Sequence, residues 1–235
     1  MSKKNKLHHF AENETFGNMF QLSYEQLIEG FKYRGKWNNG FFGNNNDLTV
    51  ELGCGKGEYT VGLAHRFPDT NFVGVDIKGA RIWRGLKNTD ESSLKNVAFI
   101  RSRINLIEFM FGQNEVSNIW ITFPDPHPTP IKEKRRLTSP QFINRYYKVL
   151  KPDGISHLKT DNIIFFEYTL DVITEHGHEL IYSTYDVYGE ENDEVLTQIQ
   201  TFYEKKWLEN GTKIKYLKFK LKKLIIECPI KNLSQ

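Results

Sequence analysis

The sequence predicts an α/β fold with a mostly parallel seven-stranded sheet and an antiparallel C-terminal strand. Between residues 48 and 185, short apolar runs alternate with segments long enough for crossover helices. This β-α-β repetition is typical of parallel sheets. Near the C-terminus, from Lys213 to Ile226, polar and apolar residues alternate as in a single long strand. We expect that strand to close the sheet.

The N-terminal part is predicted to be a separate segment, residues 1–45, ahead of one domain over residues 46–235. Residues 1–20 are basic and lack periodicity, which predicts a mobile arm, or equally a frayed terminus. A short helix is predicted near residues 23–30. The glycine- and asparagine-rich residues 40–46 predict a loop.

The elements of the second segment follow in order. Strands are predicted at residues 48–52, 71–76, 97–101, 118–123, 154–160 and 179–185, and helices at residues 139–150 and 162–175. In the last strand the alternation changes phase at Tyr216 and Leu217. That change predicts a bulge or a sharp bend.

Composition sets mild bounds on function. The chain has 235 residues, 39% of them apolar, and a formal charge of +3, too small by itself to indicate a polyanionic partner. Cys54 and Cys228 lack metal-binding or disulfide spacing, so we expect two small core residues, no metal and a reducing cytoplasm. Neither a membrane segment nor a signal peptide is visible in the sequence. The oligomeric state stays open between monomer and homodimer.

The first motif is the loop ELGCGKG at residues 51–57. Three glycines allow a tight turn and a close approach of a ligand: Gly53, Gly55 and Gly57. Glu51 and the absence of a Gly-Lys-Ser/Thr ending favour a cationic amino-acid group over a pyrophosphate. Asp76 ends the second strand, where it could bind ribose hydroxyls or simply cap the strand. These features favour S-adenosylmethionine over NAD.

The second motif is the loop TFPDPHP at residues 122–128. Flanking prolines fix the backbone around Asp125 where the fourth strand ends, although a structural turn is the alternative. A basic run follows, formed by Lys132, Lys134, Arg135 and Arg136. Such a run is usually a solvated face, but beside a cofactor site it would contact phosphates.

With these motifs in place, the sequence resembles the tRNA (guanine-N7)-methyltransferases, class I enzymes with a Rossmann-like fold. The resemblance also rests on GVDI at residues 74–77, KRRL at 134–137, HLKTD at 157–161 and TFYE at 201–204. It implies methyl transfer from S-adenosylmethionine to N7 of a guanosine in tRNA, guanosine 46 of the variable loop. The implied catalytic residue is Asp125.

The resemblance also implies two sets of binding residues. Those for the cofactor are Glu51, Gly53, Gly55, Gly57, Asp76, Ile77, Ser102, Arg103 and Asp125. Those for the substrate are Thr129, Asp161, Thr201, Phe202, Tyr203 and Glu204. Taken singly, Asp161 could instead cap a helix, and Thr201 and Glu204 could be a pair on a helix surface.

Three positions depart from the family pattern. Arg103 stands where an acidic residue is common, His127 where tryptophan is common, and Thr129 where lysine is usual. The loss of the acidic residue puts one cofactor contact in doubt, and Thr129 removes one substrate contact. Two rival functions stay open. One is a methyltransferase for another RNA, a protein or a small molecule, and for a protein or a small molecule it predicts no salt-sensitive tRNA binding. The other is a non-catalytic RNA-binding module, which predicts no cofactor affinity.

Overall fold

A computed structural model describes residues 3–190 and 193–222, and within them the chain forms one eight-stranded sheet. The strands are β1 Met19–Gln21, β2 Asp47–Leu52, β3 Thr70–Asp76, β4 Val97–Arg101, β5 Val116–Thr122, β6 Leu150–Thr160, β7 Glu179–Thr184 and β8 Lys215–Lys220. The helices are α1 Lys3–Asn13, α2 Tyr24–Gly30, α3 Glu58–Arg66, α4 Gly79–Glu91, α5 Ile107–Met110, α6 Pro140–Val149, α7 Ile163–Glu175, α8 Val187–Glu190, α9 Glu194–Gln198 and α10 Phe202–Glu209.

The strand order is β1-β4-β3-β2-β5-β6-β8-β7. All neighbouring strands pair in parallel except at β8, which runs antiparallel to both β6 and β7. The chain order therefore reverses at β2, which lies between β3 and β5. Open α/β sheets bind ligands beyond the carboxyl ends of their strands at such a reversal.

Both faces of the sheet are covered, as the near-continuous apolar strands require. On β2, Leu48, Val50 and Leu52 belong to one hydrophobic cluster, and alternation turns Thr49 and Glu51 to the opposite face. That face carries the second cluster, which includes Tyr59 of α3 and Phe99 of β4. Glu51 consequently projects towards α3 beneath the glycine loop.

The sequence predicts no regular structure over residues 1–20, and this is wrong for the described part of that segment. Residues 3–13 form α1, which packs on α4 through a stacked pair, His9 on Trp83, with ring centroids 3.8 Å apart. Strand β1 pairs in parallel with β4 and is the one strand of the described sheet that is additional to the seven predicted. Long-range contacts with α4 and β4 stabilise these elements, so sequence periodicity gave no indication of them. The division at residues 45 and 46 stays a prediction.

The predicted bulge at Tyr216 and Leu217 is also wrong. Both residues are buried because β8 lies between two strands and is covered on both faces, so apolar side chains are needed on each. The pairing with β6 is regular, and the register shift lies in β7 between Leu180 and Tyr182. The residues of the predicted strand beyond 222, and Cys228, lie outside the described residues. None of the described helices has the length and apolar character needed to cross a membrane.

Candidate active site

Five parallel strands, β2 to β6, end at one edge of the sheet, where their loops surround a cavity of about 860 Å³. A smaller cavity of about 90 Å³ adjoins it under the start of α10. The two cavities share five lining residues: Gly53, Asp76, Arg81, Phe123 and Tyr203. The glycine loop, the proline loop and the TFYE segment are therefore brought together, although they are remote from one another in sequence.

The glycine loop is a strained turn that only glycine accommodates readily. Gly53, Gly55 and Gly57 have φ values of +79°, +56° and +71°, in the left-handed region. The Gly53 N–H donates to the Val75 carbonyl at 2.8 Å, which fixes the loop to the end of β3. Helix α3 begins directly after Gly57, so its amino end faces the cavities.

The glycines have different roles. A Cβ atom at Gly53 or Gly55 would have no neighbour closer than 3.9 Å, so it would project into the open space above the loop. A Cβ atom at Gly57 would instead lie 2.7 Å from the Phe99 ring. Gly53 and Gly55 leave room for a ligand, whereas Gly57 permits α3 to pack on the sheet. The space above the loop fits the tail of an adenosyl cofactor.

Asp76, the last residue of β3, contacts the glycine loop. Its Oδ2 accepts a hydrogen bond from the Gly55 N–H at 2.9 Å, and its Oδ1 accepts one from the Lys78 N–H at 2.7 Å. The side chain still lines both cavities. Each oxygen retains acceptor capacity after one backbone bond, so Asp76 fits the predicted pairing with vicinal hydroxyls.

Glu51 is held below the cavity surface rather than on it. It is 3% exposed, and its carboxylate accepts from the Thr60 N–H at 2.8 Å, from the Thr60 hydroxyl and from the Thr122 hydroxyl at 2.5 Å. Burial raises the pKa of Glu51 from 4.5 to about 7, in spite of these hydrogen bonds. A cationic group bound above the loop would stabilise the charged form. From this position beneath the loop, Glu51 would act on a bound cofactor through its charge and not by direct contact.

The ends of β3 and β4 form one wall of the larger cavity, to which Ile77, Ser102 and Arg103 contribute. The Ser102 side chain is buried, and its N–H donates to the Asp76 carbonyl at 3.1 Å. Arg103 is exposed on the wall, so the position that is commonly acidic in the family carries positive charge here.

The proline loop presents Asp125 to solvent. Its side chain is 78% exposed and lines the larger cavity, with His127 Nδ1 4.0 Å from Oδ1. Phe123 and His127 have positive φ values of 48° and 43°, which bend the loop sharply on both sides of Asp125. The Phe123 N–H donates to the Lys159 carbonyl at 2.8 Å and ties the loop to β6.

Arg136 does not belong to a phosphate-binding run. It is 5% exposed, and its Nε donates to the carbonyls of Pro126 and His127, both at 3.3 Å. Its guanidinium lies 4.2 Å from the centre of the Tyr168 ring. Arg136 therefore fixes the proline loop from within, and only its neighbours Lys132, Lys134 and Arg135 are exposed.

The predicted substrate residues divide into two groups. Asp161, Thr201, Phe202 and Tyr203 line the cavities, with both aromatic side chains about half exposed. Burial raises the pKa of Asp161 above its ordinary value. The helix cap at this point is Asn162, whose side chain accepts from the Phe165 N–H, so Asp161 is not the cap. Thr129 is exposed and outside both cavities.

Glu204 is not on a helix surface. It is fully buried, 2.5 Å from Lys159 Nζ, and it accepts a hydrogen bond from the Tyr188 hydroxyl at 2.9 Å. Together with Thr201 it forms a capping box at the start of α10. Its side chain lines neither of the two cavities.

Several residues that line the cavities are outside the predicted binding sets. Arg81 of α4 lines both cavities. Trp207, one helical turn after Tyr203, lines the larger cavity. The spacing of Tyr203 and Trp207 was a usable signal, because residues four apart share a helix face. Arg81 had no such signal, since its position depends on how α4 packs.

Another cavity of similar size, about 910 Å³, lies at the opposite edge of the sheet beside Lys151 and Gly154, and no predicted site residue lines it. Among the described residues, no cluster of His, Cys, Asp or Glu side chains is arranged to hold a metal ion. The edge that carries the glycine and proline loops is the candidate active site.

Comparison with known proteins decides the family. A family model described as a putative methyltransferase matches residues 45–217. The tRNA (guanine-N(7)-)-methyltransferase of Christiangramia forsetii is 53% identical over 224 residues, which cover 94% of this chain and 100% of the relative. The chain belongs to the tRNA (guanine-N7)-methyltransferase family. The enzyme of that name from Bacteroides thetaiotaomicron is 46% identical over 219 residues, covering 93% of this chain and 86% of the relative.

Solved structures of other methyltransferases share the fold of this family member. The 16S rRNA methyltransferase KamB has a TM-score of 0.60 at 12% identity and covers 85% of this chain and 94% of its own. An antibiotic-related methyltransferase has a TM-score of 0.57 at 19% identity, with 84% and 93% covered. These likenesses confirm the Rossmann-like methyltransferase fold.

Proposed function

We propose that this member of the family methylates N7 of guanosine 46 in the variable loop of tRNA, with Asp125 at the reaction centre. The enzyme is a tRNA (guanine-N7)-methyltransferase that uses S-adenosylmethionine. The observation that supports the assignment of the centre is the convergence of Asp76, Asp125 and Asp161 on one cavity at the switch point of the sheet.

The cofactor supplies an electrophilic methyl group on a sulfonium. We place its ribose at Asp76 and its amino-acid end over the glycine loop, above Glu51. Asp76 is pre-organised for this role by its two backbone hydrogen bonds. Glu51 contributes negative charge from beneath, and a bound ammonium group would lower its raised pKa again.

No general base is needed for the reaction, because N7 of guanine has a lone pair and no proton. Catalysis should then come from alignment and from stabilising the positive charge that develops on the purine. Asp125 is suited to that task because its carboxylate lines the cavity and the prolines and Arg136 fix its loop. Since its side chain is 78% exposed, bound tRNA must itself exclude water from the centre.

Charge on the cavity rim supports an RNA substrate. Arg81, Arg103 and Arg135 line the larger cavity, and Lys132 and Lys134 are exposed on the turn just before Arg135. Arginine and lysine on a rim bind phosphates and position the nucleic acid without reading sequence. We assign recognition of the exposed guanosine to Asp161 and to the aromatic side chains Phe202 and Tyr203, on which a base could stack.

Two lysines close to the start of β8 are engaged in contacts within the protein. Lys215 donates to the Asp161 carbonyl at 2.9 Å, and Lys213 lies 3.0 Å from Asp186. Both are engaged in structural contacts beside the site.

A cytoplasmic location follows from the proposed substrate, since tRNA is modified where it is made and used.

The test is methyl transfer from labelled S-adenosylmethionine to an unmodified tRNA transcript. Wild type should form 7-methylguanosine, a transcript with adenosine at position 46 should accept none, and Asp125→Ala should lose at least about 100-fold in kcat. Arg84→Met, a charge removed from α4 at a position outside both cavities, is the control.

Each part of the proposal has its own contradicting result. Full activity of Asp125→Ala would remove Asp125 from the centre. Formation of 7-methylguanosine on the transcript with adenosine at position 46 would overturn the assigned nucleotide and leave the reaction class intact.

A further inference from the structure

A buried ion pair connects the substrate segment, residues 201–204 at the start of α10, to the sheet. Lys159 of β6 and Glu204 of α10 are both 0% exposed, and Lys159 Nζ lies 2.5 Å from Glu204 Oε1. Lys159 also donates to the Leu196 carbonyl, and the Tyr188 hydroxyl donates to Glu204. Burial lowers the pKa of Lys159 and raises that of Glu204. Each charge therefore depends on the other for compensation.

The backbone of the same lysine holds the proline loop. The Lys159 carbonyl accepts the Phe123 N–H at 2.8 Å, two residues before Asp125. One residue of β6 thus contacts the reaction-centre loop with its backbone and the substrate segment with its side chain. Neither contact is part of the proposed chemistry, because both lie beneath the cavity.

The other end of the pair determines where the aromatic side chains lie. Glu204 Oε2 accepts the Thr201 N–H at 3.3 Å, and Thr201 Oγ1 accepts the Glu204 N–H at 3.1 Å, which closes the first turn of α10. Phe202 and Tyr203 lie between these two residues and line the cavity. The Phe202 N–H also donates to Glu58 at 3.0 Å, and Lys56 lies 4.0 Å from the centre of the Phe202 ring.

From these contacts we propose that Lys159 and Glu204 are positioning residues: the buried pair holds the first turn of α10 so that Phe202 and Tyr203 meet the target guanosine. Glu204 acts through the helix and does not touch the base. The inference rests on the proposed function and deepens it, since it explains what positions Phe202 and Tyr203 and removes base contact from the carboxylate of Glu204.

The two interpretations of Glu204 predict opposite results when the pair is replaced as a unit. Glu204→Gln keeps the capping box, because glutamine serves at this position as well as glutamate. Lys159→Met keeps the approximate volume of the side chain and removes its charge. Each single change leaves one buried charge uncompensated, whereas the double change leaves a neutral, similarly sized pair, which proteins often tolerate.

The experiment compares wild type, Lys159→Met, Glu204→Gln and the double variant, with the exposed Glu209→Gln on the same helix as control. The measurements are kcat and KM for a tRNA transcript, the Kd of S-adenosylhomocysteine, and the thermal unfolding midpoint. Each single variant should lose about 100-fold in kcat/KM for tRNA, the size expected for a misplaced binding group, with cofactor Kd within about twofold. The double variant should return to within about fivefold of wild type, and Glu209→Gln should match wild type.

A folded double variant that binds cofactor but stays as impaired as Glu204→Gln would overturn the inference, because it would mean that the carboxylate reads the base. Singles with wild-type kcat/KM, or a double variant that does not fold, would overturn it as well. Absence of 7-methylguanosine with wild type would refute the proposed function instead, so the two failures are distinguishable.

Discussion

The buried carboxylate of Glu51 makes the stability of this enzyme depend on pH. It lies between Thr60 and Thr122 beneath the glycine loop, and burial raises its pKa from 4.5 to about 7. The folded protein therefore binds this proton more tightly than the unfolded chain does. Its contribution is greatest below pH 4.5, falls as the pH rises towards 7, and is lost above that value.

The magnitude follows from the shift. A difference of about 2.5 pKa units corresponds to about 3.4 kcal/mol, of which about 2.5 kcal/mol falls between pH 5 and pH 8. Glu51→Gln keeps the shape of the side chain and replaces the carboxyl group with an amide that does not titrate between pH 5 and pH 8. The free energy of unfolding of this variant should therefore rise relative to wild type by about 2.5 kcal/mol when the pH goes from 5 to 8.

Urea unfolding of the cofactor-free protein at pH 5 and pH 8 measures this difference. The exposed Glu29→Gln on α2 controls for the removal of one negative charge. A Glu51→Gln difference that is the same at both pH values would refute the reasoning, because it would show that folding does not shift the titration of Glu51.

Further predictions concern Asp76, the two arginines that follow the proline loop, and Gly57 of the glycine loop. Asp76→Asn should weaken S-adenosylhomocysteine binding at least about tenfold by calorimetry, since it removes a charged acceptor; unchanged affinity would exclude the proposed ribose contact. Arg135→Met should reduce the salt dependence of tRNA binding by about one unit of slope, whereas Arg136→Met should lower kcat and leave that slope unchanged; identical behaviour of the two would contradict the structural role of the buried arginine. Gly57→Ala should cost at least about 2 kcal/mol in urea unfolding, because its Cβ atom would meet the Phe99 ring in a left-handed backbone; a loss below half of that would show that the ring moves aside.

The central strands were predictable because buried parallel strands are continuous apolar runs between turn residues. The prediction for β4, residues 97–101, coincides with the observed strand, and those for the other core strands differ mainly at their ends. The Ser23 cap of α2 and the Asn162 cap of α7 are equally local signals. The antiparallel direction of the C-terminal strand is also confirmed.

The N-terminal elements and the regularity of β8 were not predictable from local pattern. Helix α1 depends on contacts such as His9 with Trp83, and β1 depends on pairing with β4. Both faces of β8 are buried because Leu217 and Phe219 pack into one hydrophobic cluster and Tyr216 into the other, and remote segments build both clusters. Local periodicity reports one buried face and cannot report the neighbours on each side.

The chemical groups of the site can be identified from local sequence: a glycine loop, an acidic residue at the end of β3, an aspartate between prolines and a basic run. Which charged side chains face the cavity, and which lie beneath it, depends on how the strands and helices pack. Glu51, Arg136 and Glu204 look like exposed functional groups in the sequence, yet all three are buried. The reason is physical: a charge can be buried only where partners from remote segments meet it, as Lys159 meets Glu204, and those partners are assembled by the fold.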